Sequence, residues 1–178
     1  NDGLRPHRMA AVLFCSVGMP MLSCGQDFLR SKQGINNTYL MGEVNALRYE
    51  RIDTHRHTHD YFKQWIQFRA SDWGRVFRLK DKPETGYLRL FTSENGDHSS
   101  LALLFNANRA LGNRQILLAL NPHFEDCKIH LYDVDSDGWR PIADIWNFDI
   151  DGIEDSRLNR DERSLYLGPM TLGLWVRH

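Results

Sequence analysis

Between Gly18 and Asn45 the chain gathers side chains that can hold hydroxyl groups: Arg30, Asn36, Asn37, Tyr39, Glu43 and Asn45. Carboxylates and amide oxygens accept from hydroxyls, guanidinium and amide N–H groups donate to them, and a phenol ring offers a face for stacking. Directly upstream lies a short apolar run, Met19-Pro20-Met21-Leu22. A buried strand that opens into a long polar loop is a common way for α/β enzymes to build one wall of a substrate cleft.

Two other clusters invite chemistry. His55-Arg56-His57-Thr58-His59 places a histidine at every second position, which on a strand would share one face and could bind zinc or nickel. No carboxylate is spaced to complete such a site, so no metal and no cofactor is expected. Trp139 and Trp146 could stack on sugar if exposed, although tryptophans in β-sandwiches more often fill the core. The paired acids Asp149/Asp151 and Glu154/Asp155 read as solvated turns.

The elements that must position these residues change character along the chain. Met9, Ala10, Val12, Leu13 and Phe14 recur at helical spacing and predict a helix over 5–16, with Pro6 tolerated in its first turn. Met19–Cys24 predicts a short strand, non-alternating as in a parallel sheet covered on both faces. Tyr61, Phe62, Trp65, Ile66 and Phe68 predict a second amphipathic helix, capped near Thr58 and closing before Trp73-Gly74. From Arg75 onward, strands are expected at 75–79, 87–92, 101–106, 115–120, 128–134 and 171–177. Turn-formers separate them at 94–97, 111–113 and 135–138. This describes an antiparallel sandwich, with a domain boundary near residue 75.

Composition excludes several functions. With 42% apolar and 25% charged residues in 178, the chain has an ordinary globular composition. A net charge of −1 argues against binding nucleic acid or an anionic membrane electrostatically. Cys15, Cys24 and Cys127 form no metal-ligating pattern and read as buried thiols. No apolar run approaches the ~20 residues of a membrane span, and without a visible signal peptide the cytoplasm is the expected location. The first residue is Asn1, so an upstream portion is expected.

Gly18-Met19-Pro20-Met21-Leu22-Ser23-Cys24-Gly25-Gln26-Asp27 resembles the Gly-x-Pro-x-x-x-x-Gly-x-Glu segment at the eighth barrel strand of the α-amylase superfamily, glycoside hydrolase family 13. Phe28-Leu29-Arg30-Ser31-Lys32, Asn37-Thr38-Tyr39 and Glu43-Val44-Asn45-Ala46-Leu47 are similar to the pullulanase and glycogen-debranching branch. The motifs cover roughly residues 5–70. The resemblance implies the end of a (β/α)8 barrel over 1–75 (eighth strand, substrate-side loop and last helix), followed by a C-terminal sandwich over 76–178. It implies retaining hydrolysis of α-1,6-glucosidic bonds in starch, glycogen or pullulan, by a nucleophile and an acid about 5 Å apart. In the family those acids lie on earlier strands, so no catalytic residue is expected here, and the remainder of the barrel becomes the expected partner. A non-catalytic structural or carbohydrate-binding module of a degenerate member is the alternative.

The implied substrate-binding residues are Arg30, Asn37, Tyr39, Glu43 and Asn45. Each has a plainer reading. Arg30 either binds a sugar hydroxyl or pairs with a barrel carboxylate; Asn36 and Asn37 contact glucan or cap the loop through Asx turns. Tyr39 stacks on glucose or packs as a loop anchor, and Glu43 and Asn45 bind sugar or hold the loop together. The chain also departs from the family: Asp27 replaces Glu, Leu40-Met41-Gly42 stands where relatives carry polar residues and an Asp, and Arg48-Tyr49 replaces an acid–aromatic pair. These changes remove hydroxyl-binding groups, and such losses alter sugar discrimination.

Overall fold

Strand β3 (Gln115–Asn121) is buried along nearly its whole length, and its run of apolar residues shows why. Successive side chains of a strand point to opposite faces. Ile116 and Leu118 join a core with Phe14, Trp65, Phe68 and Phe77, whereas Leu117 and Ala119 join another with Ile129, Leu165 and Trp175. A sheet covered on both faces needs continuous hydrophobicity rather than alternation. β3 is therefore the middle of a three-layer structure of helices, sheet and sheet.

The computed structural model describes residues 4–94, 99–155, 157–159 and 161–178. Helices α1 (Arg5–Cys15), α2 (Gly42–Asn45), α3 (Arg51–Thr54) and α4 (Arg56–Ala70) precede all the strands described. β1 (Leu88–Thr92), β2 (Leu101–Phe105), β3, β8 (Thr171–Arg177) and β5 (Arg140–Asp144) form a five-stranded antiparallel sheet in the order β1-β2-β3-β8-β5. β4 (Cys127–His130), β7 (Ser164–Leu167) and β6 (Leu158–Asn159) form the second sheet, order β4-β7-β6. A bridge between Ser93 and Ile129 ties the sheets together at one edge. Antiparallel sheets with few helices are a β-sandwich architecture, here with a helical layer added.

The two long helices lie close to the expected 5–16 and 58–71. α1 and α4 pack on one another and on the outer face of the five-stranded sheet through Ala10, Phe14, Phe62, Trp65 and Phe68. Residues on either side of 75 thus share one core. No described helix is long and apolar enough to cross a membrane.

Three expected elements differ. Residues 75–79 are not a strand: Trp73–Val76 winds into a 3-10 turn, placing Trp73, Val76 and Phe77 into the core at three- and four-residue spacing. Gly74 permits that turn to press on the end of α4, since a Cβ there would lie 1.9 Å from the Arg69 carbonyl oxygen. Residues 128–134 pair only as far as His130. Met19–Cys24 is not a strand: residues 19–23 take no regular secondary structure, Cys24 begins a turn, and Pro20 has no N–H to donate to a ladder. β5, β6 and β7 were not signalled, because β5 carries a proline between charged ends and β6 and β7 are only two and four residues long. The turn expected at 94–97 falls, beyond Glu94, outside the described residues. Cys15 and Cys127 are buried thiols as expected; Cys24 is exposed.

Candidate functional site

Three contacts hold the loop from Gly18 to His55, two of them to the helical layer and one within the loop itself. At its entry, Arg69 of α4 is almost fully buried and donates to the carbonyls of Phe14 (2.5 Å), Ser16 (2.9 Å) and Gly18. Its guanidinium also lies 5.6 Å from the centre of the Phe77 ring. Burial lowers the pKa of Arg69, and the three carbonyl dipoles hold the cation in place. One residue therefore closes the C-terminal end of α1 and aims the chain into Met19–Cys24.

The second tie is Asp27, whose Oδ2 lies 2.7 Å from Nδ1 of His59 on α4. Asp27 ends a tight turn in which Gly25 adopts a left-handed conformation (φ 83°) that suits glycine. A Cβ on Gly25 would meet Arg30 and Phe28 at 2.8–3.0 Å. The third tie is Arg51, which donates to the carbonyls of Phe28 (3.4 Å) and Leu29 (2.6 Å) and lies 3.1 Å from His55. The histidine cluster is thus divided: His55 faces Arg51, His57 lies 5.3 Å from the His7 ring, and His59 meets Asp27. Because α4 begins at Arg56, alternate residues diverge instead of sharing a face. Among the described residues no three His, Cys, Asp or Glu side chains are placed to hold a metal.

The five expected binding residues fall into two groups. Asn45 sits at the centre of a latch. Its amide accepts from Thr38 Oγ1 (2.8 Å) and donates to the Thr38 carbonyl (2.5 Å), while its carbonyl accepts from Arg30 (2.6 Å). Arg30 also approaches Asn45 Oδ1 at 3.4 Å, and its buried Nε has no partner among the described residues. Arg30 and Asn45 are thereby brought together as loop structure. Asn37 accepts from the Tyr39 amide at 3.2 Å in an Asx turn, the plainer of its two readings. Tyr39 is not a packed anchor: it is 87% exposed, flanked by the equally exposed Leu40. Glu43 lies in the short α2 with its side chain in solvent.

The latch therefore presents Tyr39 and Glu43 outward on a loop whose backbone is held from beneath. Met19 and Met21 project from the adjoining segment, both more than four-fifths exposed. No backbone hydrogen bond joins Met19–Leu22 to another described residue. Arg51 is a structural residue that the sequence reading did not single out, and Thr38 and His59, quoted there within a motif and a histidine cluster, prove structural as well. Their spacing carried no signal, since each acts across a fold contact.

Elsewhere, Ser164 Oγ lies 2.8 Å from Nδ1 of His130, whose other nitrogen meets Glu94. The order Ser–His–Glu invites a nucleophilic reading. Ser164 is wholly buried and also donates to the Glu162 carbonyl (3.1 Å), so no substrate can reach it. Of the tryptophans, Trp139 is core, with Nε1 donating to the Asp135 carbonyl (2.8 Å), and Trp146 is 54% exposed. Asp149 accepts from the Asp151 amide, as a turn acid does. Asp155 departs from the solvated-turn reading, because its side chain is only 5% exposed.

No protein-family model matches the chain. Over 84 residues it is 31% identical to a pullulanase of Bacillus subtilis (strain 168), a stretch covering 45% of this chain and 11% of that protein. Solved structures similar to it in fold include a pullulanase from Bacillus acidopullulyticus (TM-score 0.70, 20% identity, 98% of this chain and 20% of that one). They also include the catalytic module of a glycogen-degrading pneumococcal virulence factor (TM-score 0.78, 16% identity, 99% and 31%). A Group B Streptococcus pullulanase solved with maltotetraose matches at a TM-score of 0.77 and 17% identity, over 99% and 28%. The chain thus spans about a tenth of the matched curated protein and a fifth to a third of these structures.

Proposed function

We propose that this chain is the C-terminal part of an α-glucan debranching glycoside hydrolase. Residues 1–75 supply the eighth strand, substrate-side loop and last helix of a (β/α)8 barrel, and residues 76–178 the terminal sandwich. The observation that carries this reading is the fold likeness to pullulanases over 98–99% of the chain, joined to the 84-residue stretch of 31% identity.

The geometry supports it in two further ways. Met19–Leu22 makes no backbone hydrogen bond to another described residue, which leaves its backbone open to pairing with another part of a sheet. The latch around Asn45 holds Tyr39 and Glu43 at the rim, where an aromatic face and a carboxylate suit a neutral sugar. On this reading Arg30, Asn37 and Asn45 shape the cleft wall, and Tyr39 and Glu43 touch the glucan. The carboxylates that cleave the α-1,6 bond belong to the rest of the barrel, the chain's first partner. The second partner is the polysaccharide: starch, glycogen or pullulan.

The test is the Tyr39→Ala variant of the complete enzyme. Tyr39 is exposed, so the fold should be intact while kcat/KM on pullulan falls about tenfold through a lost stacking contact. Unchanged kcat/KM would remove Tyr39 from the cleft. A complete polypeptide that hydrolyses no α-1,6 linkage would remove the enzyme reading. The second reading, a non-catalytic carbohydrate-binding module, would then stand, favoured by the apolar Leu40-Met41 in the loop.

A further inference from the structure

A cleft of about 560 Å³ opens where the start of α1, the turn after β5 and the segment entering β8 meet. None of its lining belongs to the Gly18–His55 loop. Its volume lies within the usual range of small-molecule sites, about 300–1,000 Å³.

Trp146 forms part of the lining with its ring half exposed, and it is held in a defined place. Asp144 Oδ1 accepts from the amides of Trp146 (2.7 Å) and Asn147 (2.6 Å), fixing the turn that presents the indole. Asp155 also lines the cleft. Its Oδ1 accepts from Arg157 Nε at 2.5 Å, while its buried Oδ2 has no partner among the described residues. A shielded carboxylate oxygen without a donor is costly, and a ligand hydroxyl would satisfy it. Glu154 adds an exposed carboxylate. Arg8 spends one nitrogen on the Met170 carbonyl (2.8 Å) and keeps further N–H donors.

Two arginines face three acids in this cleft, so its charges nearly balance and no strongly charged ligand is favoured. A pyranose fits such a lining, with an apolar C–H face for an indole and a rim of hydroxyls for carboxylates and guanidinium. We propose that the Trp146–Asp155 cleft is a second saccharide site, stacking a glucose unit of a neutral α-glucan on Trp146 and accepting its hydroxyl protons at Asp155 and Glu154. The choice of α-glucan over other neutral sugars rests on the debranching reading.

Calorimetric titration of the chain with maltotetraose tests it, using Trp146→Ala, Trp146→Phe and Phe124→Ala, with circular dichroism to confirm folding. The expected result is binding that weakens about tenfold in Trp146→Ala, recovers in part in Trp146→Phe, and is unchanged in Phe124→Ala, an exposed ring outside the cleft. No binding by the folded chain, or binding indifferent to Trp146→Ala, overturns the proposal. Failure of the debranching reading looks different: the complete polypeptide would leave pullulan uncut while Trp146-dependent binding persisted.

Discussion

Replacing Arg69 by methionine probes the joint from which the whole loop departs. The substitution keeps an unbranched stem in the core but removes donors to the carbonyls of Phe14, Ser16 and Gly18. Phe14 is buried, so its carbonyl is left without a partner at about 1–3 kcal/mol. Ser16 and Gly18 are exposed, and water takes over part of the loss, leaving roughly 0.5–1 kcal/mol each. The relief of no longer burying a cation offsets some of this. A net cost of about 3 kcal/mol follows, equivalent to a fall in Tm of about 6–12 °C for a chain of this size. Arg69→Lys should recover little, because one ammonium cannot span three carbonyls on the Arg fork. Thermal unfolding followed by far-UV circular dichroism reads the effect. A Tm within about 2 °C of the parent would refute the idea that Arg69 anchors the loop.

Three further outcomes are expected. His7 is buried between Ile145 O (2.8 Å) and Thr58 Oγ1 (3.2 Å) and stacks on Tyr61 at 4.2 Å. Burial chiefly, with the nearby His57, lowers its pKa from 6.5, against a raising effect of the Ile145 carbonyl. The unfolded chain therefore binds the proton first as pH falls, so this contribution to stability is complete above about 6.5 and declines below it. Tm measured from pH 8 to 5 should drop more steeply for the parent than for His7→Asn, and parallel slopes would contradict the assignment. Gly173→Ala places a Cβ 2.2 Å from the Trp175 ring, so it should cost about 2–3 kcal/mol and alter the near-UV spectrum. A variant of unchanged stability and spectrum would show that Trp175 moves freely. Asn45→Ala removes the hydrogen bonds with Thr38, and amide exchange over 38–41 should accelerate while global stability changes by only about 1–2 kcal/mol. Unaltered exchange would deny Asn45 its role as a latch.

Much of the helical layer and five of the eight described strands were legible because their apolar residues repeat at one period over ten residues or along a full strand. Phe62, Trp65 and Phe68 mark α4 as plainly as Leu117 and Leu118 mark β3. Trp73–Val76 misled, because Arg75-Val76-Phe77-Arg78-Leu79 alternates like a strand, yet Gly74 lets the backbone coil tightly against Arg69. At the candidate site, Arg30, Asn37, Tyr39, Glu43 and Asn45 were picked by type and motif. What could not be read was the division of labour among them. Asn45 turns inward because Thr38 and Arg30 converge on it, and Tyr39 turns outward because nothing packs over it. Asp155 shows the same limit, since only the folded position of Arg157 buries an acid that the local sequence leaves in a turn.

The most direct test of the central claim is pullulan hydrolysis by a chimera. This chain would replace the corresponding portion of the Bacillus subtilis pullulanase, with which it shares 31% identity over 84 residues. If residues 1–75 complete a barrel, the chimera should release reducing ends from pullulan well above the truncated enzyme alone. Its Met19–Leu22 amides should also gain protection from exchange. A folded chimera with no more activity than the truncated enzyme, and with those amides still unprotected, would contradict the account.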